Sequence, residues 1–191
     1  MDRRQFVKRA GIGSIGLGTL AVTPAALAAY RKGDGHQHFS LVCISTTSAV
    51  EATNHAMVLE GAGSFKVKTE QVDHTGGGNF VHIANFPAGL PGPLASGTWD
   101  VTGFVSYVQT TPVSDYGRIR SAILVVTVVL RPDAGGSLEG TLQVICNVGP
   151  AGISTGQPEG FRLNLPGAGF NFDTPFTGLT HISIPEGDSS V

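Results

Sequence analysis

The chain reads as an all-β protein, an antiparallel β-sandwich or closed β-barrel of about 8–10 strands. Three observations carry that expectation. Short segments rich in Val, Ile, Thr and aromatic residues recur along the chain, the composition that suits a pleated, half-buried surface. Glycine and proline, 27 and 11 in number, punctuate these segments at intervals of about 8–14 residues. Helical periodicity is thin: Ser48-Ala49-Val50-Glu51 has capping-box spacing, but no apolar run of helical period follows it.

The first strand is expected over 38–44, followed by 57–60 and 64–69, the latter with apolar residues alternating against lysines. Gly61-Ala62-Gly63 and Gly76-Gly77-Gly78 read as two similar glycine turns entering strands. Further strands are expected at 79–83 and 98–108. Trp99, the single tryptophan, starts the latter and anchors the core. The run Ile119 to Leu130 is nearly continuous aliphatic and β-branched sequence, a central strand covered on both faces. Arg131 to Gly136 has turn chemistry, because proline ends a strand and glycine supplies positive φ. The chain returns over 138–148, with Leu142, Val144 and Cys146 on one face. Strands at 161–165, 169–172 and 179–184 complete the set.

If residues 98–165 form an up-and-down meander, the connections 109–117 and 149–160 emerge together, opposite the 131–136 turn. Long loops on a rigid β scaffold are where binding usually resides. These two bring Asp115, Tyr116, Ser154 and Gln157 together as a candidate binding group. Cys43 and Cys146 both fall in apolar strand runs, and an even cysteine count predicts one disulfide where a chain reaches an oxidising compartment. Closing a loop of about 100 residues would stabilise by up to about 4.7 kcal/mol in the chain-entropy model.

Compartment comes from the N-terminus. Arg3-Arg4-Gln5-Phe6-Val7-Lys8 is an arginine pair, a spacer, an aromatic, an aliphatic and a lysine. This resembles the signal of the twin-arginine (Tat) export pathway, with Asp2 in place of the usual Ser or Thr and Val7 in place of Leu. A basic head, a weakly apolar stretch from Ala10 to Val22, Pro24 and the small-x-small site Ala26-Leu27-Ala28 follow in the order of a signal peptide. The resemblance implies a Tat translocase as partner, the motif residues Arg3, Arg4, Phe6 and Lys8, and a periplasmic or extracellular destination. Residues 1–29 are then a cleaved signal, 30–184 one all-β domain and 185–191 a C-terminal tail. No stable membrane insertion is expected after cleavage, since the stretch is too diluted by glycine for a span of about 20 apolar residues.

The signal carries four of twelve basic residues and one of fourteen acidic ones, leaving eight against thirteen in the mature part. An acidic balance excludes a basic nucleic-acid footprint and attraction to anionic lipid. Gly152-Ile153-Ser154-Thr155-Gly156 matches a nucleophile elbow in letters only, because that motif needs a strand-to-helix turn in an α/β sheet. His36-Gln37-His38 is the candidate metal-ligating pair, two imidazoles on one face of a strand. It lacks the glutamate that follows the H-x-H of cupins; Val42 and Cys43 stand there. Gly97-Thr98-Trp99 resembles the G-x-W of lipocalins, which carry it near the mature N-terminus. The expectation is a non-catalytic binding or structural role outside the cytoplasm with no cofactor. Two alternatives remain: an exported metalloprotein or small enzyme using histidines and a transition metal, or a lipocalin- or dirigent-like barrel binding an apolar small molecule.

Overall fold

The computed structural model describes residues 37–47, 54–67, 69–72, 76–86, 92–109, 118–148 and 155–184. The expected signal segment, the 48–51 capping box and the tail 185–191 lie outside the described residues, as do His36, Asp115, Tyr116 and Ser154.

Ten strands form a single antiparallel sheet: β1 Gln37–Thr46, β2 Ala56–Lys66, β3 Gln71–Val72, β4 Gly77–Ile83, β5 Ala95–Gln109, β6 Ala122–Pro132, β7 Leu138–Cys146, β8 Gly160–Leu165, β9 Phe170–Phe172 and β10 Thr174–Ser183. Their order is β10-β1-β2-β4-β5-β6-β7-β8-β9, with β3 pairing the end of β2. The sheet nearly closes into a barrel. Strands β5 to β8 are the expected meander, and the turn after β6 falls where proline and two positive-φ glycines, Gly135 and Gly136, place it.

Alternation sends one face of each strand inward. On β6, Ala122, Leu124, Val126, Val128 and Leu130 are all buried, while the residues between them are half-exposed. They meet Phe39 and Leu41 of β1, Leu59 and Phe65 of β2, Trp99 of β5, Phe161 and Leu163 of β8 and Phe172 of β9. The interior is therefore filled by side chains, as in small barrels generally.

The two glycine segments are strand interior, not turns. Strands expected separately at 57–60 and 64–69 are one strand, β2, and Gly77 and Gly78 lie within β4. A Cβ at Gly61 would strike the Gly77 carbonyl oxygen and the Trp99 ring, and one at Gly63 would meet the Phe39 ring at 2.6 Å. Glycine at 61 and 63 gives large aromatic rings room to lie over the sheet.

Closure between β10 and β7–β8 uses side chains in place of a continuous ladder. Thr180 Oγ1 donates to the Ile145 carbonyl at 2.7 Å, and Thr180 N donates to Glu159 Oε1 at 3.0 Å. Ser45 Oγ donates to the Phe161 carbonyl. Among the described residues, backbone pairing links the end of β10 to the approach to β6, where Arg120 N donates to Ile182 O at 2.8 Å and Ile184 N to Arg118 O at 3.2 Å.

The expected Cys43–Cys146 disulfide is not formed: both cysteines are free and buried. Each thiol instead donates to a β10 carbonyl, Cys43 to Leu179 at 3.2 Å and Cys146 to Thr180 at 3.5 Å. Burial pushes the Cys43 thiol up to about 12 and raises Cys146 as well. Thiolate, the species that attacks in disulfide exchange, is thereby suppressed, and both residues serve as small core hydrophobes.

Candidate functional site

The meander sets the geometry of the loop-bearing end. Gln109 lies opposite Ala122, Ala122 opposite Cys146 and Ile145 opposite Gly160. The strand ends flanking the two long connections therefore share one end of the barrel, opposite the β6–β7 turn. Gln37 at the start of β1 lies at this end too, paired with Phe65, whose ring sits 5.2 Å from that of Tyr107.

Asn147 organises the described part of the second loop. Its Nδ2 donates to the Gln157 carbonyl at 2.8 Å, and its Oδ1 accepts from Thr155 N at 2.9 Å and Thr155 Oγ1 at 2.7 Å. Ser121 Oγ accepts from Val148 N at 2.8 Å, tying this loop to the approach to β6. Asparagine is suited to such a clamp because its amide both donates and accepts in a turn.

Among the described residues, three buried polar atoms at this end make no hydrogen bond within the protein: Gln37 Oε1, Tyr107 Oη and Gln157 Oε1. Buried polar atoms are nearly always paired, so three around one barrel end require an explanation. Burial also pushes the Tyr107 hydroxyl up to about 12, with Arg120 opposing that rise, so it is a neutral donor at ordinary pH. Gln157 belonged to the candidate group read from the sequence. Gln37 and Tyr107 were missed because alternation marks them only as inward-facing strand residues.

The histidines divide between two faces. His38 lies on the outer face of β1; Ser40, two residues on, is opposite His181 of β10, which is also on that face and whose imidazole burial pushes down. Among the described residues there is no group of three or more His, Cys, Asp or Glu able to hold a metal ion. His55 and His82 point inward at the other end of the barrel, beside Phe170 and Phe172. On the outer surface, Val42 and Leu179 stand directly opposite each other and are 49% and 76% exposed, an apolar pair facing water.

Compared with protein-family models, curated proteins and solved structures, the chain matches none of them.

Proposed function

We propose that the protein is exported by the Tat pathway and has a non-catalytic role outside the cytoplasm, binding a polar ligand or partner at the loop-bearing end of the barrel. The observation that carries this reading is the trio of buried, unsatisfied polar atoms, Gln37 Oε1, Tyr107 Oη and Gln157 Oε1. A hydroxyl donor and two amide acceptors held by rigid strands and a clamped loop are groups that a bound molecule can satisfy. The filled interior supports a site at the end of the barrel in preference to one within it. The described residues that flank connections 110–117 and 149–154 stand at this end, and Asp115, Tyr116 and Ser154 in those connections are the further contacts assigned to the site.

The test compares wild type with Tyr107→Phe in a thermal-shift panel of hydroxyl-rich, amide and carboxylate small molecules and peptides. Removing a hydroxyl that has no partner in the free protein should leave the unliganded Tm unchanged or raised, because an unpaired buried polar group costs about 1–3 kcal/mol. The ligand-induced shift should shrink in the variant. A ligand that shifts both proteins equally would place binding elsewhere.

A further inference from the structure

At the barrel end opposite the loops, His55 and His82 form a pair with no role in the proposed binding site. His55 Nδ1 lies 2.8 Å from His82 Nε2, so one nitrogen carries the shared proton and the other accepts it. His55 is anchored through its backbone: its N–H donates to Thr47 Oγ1 at 3.1 Å, and its carbonyl accepts from Thr47 N at 2.9 Å. His82 is fixed within β4, opposite Met57 of β2 and Ala95 of β5.

The third wall comes from β9. The Phe170 ring is 4.7 Å from that of His55 and 4.9 Å from that of His82, and Phe172 meets His82 edge-on at 5.5 Å. Strand β9 is three residues long, pairs only with β8 and is joined to it by a single 3-10 turn at Pro166–Ala168. A short edge strand thus meets the histidine pair through two rings.

We propose that His55, His82, Phe170 and Phe172 form an acid-operated plug, closed while the two imidazoles share a proton and opened when both are charged. Two imidazolium groups cannot share a hydrogen bond, since both nitrogens then donate, and like charges at this spacing repel. Among the described residues, the ladder partners of His82, Met57 and Ala95, and the rings that meet the pair, Phe170 and Phe172, are not ionisable. Asp173, the acid next to β9, accepts a hydrogen bond from Thr174 Oγ1 at 2.9 Å. Burial and the neighbouring His55 push His82 down to about 4, which places the opening in distinctly acid solution.

Hydrogen exchange of the purified protein, corrected for intrinsic rates, tests this. Between about pH 6 and about pH 3.5, protection of amides 169–172 should fall by about tenfold or more, while β6 and β7 amides keep theirs, the pattern of a local opening. His82→Gln, which keeps a hydrogen-bonding side chain but cannot become charged, should remove the pH dependence at 169–172. His55→Gln provides the same test should the first variant fail to fold. Protection at 169–172 that stays constant with pH, falls equally in the glutamine variants, or falls together with β6 and β7 would overturn the plug.

Discussion

At the residue scale, the strongest constraints come from positions where a side chain closes a gap that the backbone leaves open. Thr180 is such a position, donating to Ile145 O and offering its N–H to Glu159 across the seam. Thr180→Val keeps the shape and removes the hydroxyl, leaving the Ile145 carbonyl without that donor. Chemical denaturation should show a loss of about 1–3 kcal/mol, the cost of stranding a buried acceptor. Gly61 is constrained from the opposite direction. Its missing Cβ makes room for Trp99, whose indole Nε1 donates to the Glu60 carbonyl at 3.0 Å. Gly61→Ala should cost about 1–3 kcal/mol through overpacking and shift the fluorescence of the single tryptophan. An unchanged spectrum and midpoint would contradict the close packing of Gly61 against the Gly77 carbonyl and the Trp99 ring. The cysteines give a third check at this scale. Denaturing alkylation of the purified protein should label both Cys43 and Cys146, and native alkylation at neutral pH should label neither.

Elements were legible in the sequence wherever composition alone decides. The aliphatic run that becomes β6, the proline- and glycine-bearing turn after it and the return strand β7 are dictated by branching and by turn chemistry. Strand β2 was not legible as one element. Gly61 and Gly63 look like breakers in isolation, and their reason, rings of Trp99 and Phe39 arriving from β5 and β1, is a long-range contact that no local pattern encodes. The first half of β10 was missed for a related reason: Pro175 and Gly178 argue against a strand locally, yet Gly178 is paired with Cys43. The candidate site was legible only as a location. Meander topology places the strand ends that flank both long connections at one end, whereas the buried amides and hydroxyl there become visible only once partners can be assigned. Strand β4 yields a pH prediction. His82 is held below its ordinary value of 6.5, at about 4, so the folded state prefers the neutral ring. Its contribution to stability is complete above about pH 6.5 and is lost as pH falls towards 4. Each pH unit of that displacement amounts to about 1.4 kcal/mol before solvent screening at this half-buried position reduces it. Denaturation midpoints should therefore fall less between pH 6.5 and 4 in His82→Gln than in wild type.

For the whole molecule, a filled barrel separates stability from function. Core side chains occupy the interior, so the ends and the outer face are left to meet partners. Export is the expectation that sets where such a partner is found. Replacing Arg3 and Arg4 together by lysine should hold an unprocessed precursor in the cytoplasm, as fractionation and immunoblotting would show, and continued processing would contradict a Tat route. The proposed binding end is tested most directly by a hydrogen-exchange footprint of the mature protein with and without a ligand that raises its Tm. Protection should appear at residues 107–109, 118–122 and 147–157 and be absent from the 133–137 turn at the other end. A footprint on that turn, or on the outer face around Val42 and Leu179 with the loop-bearing end unchanged, would contradict the account.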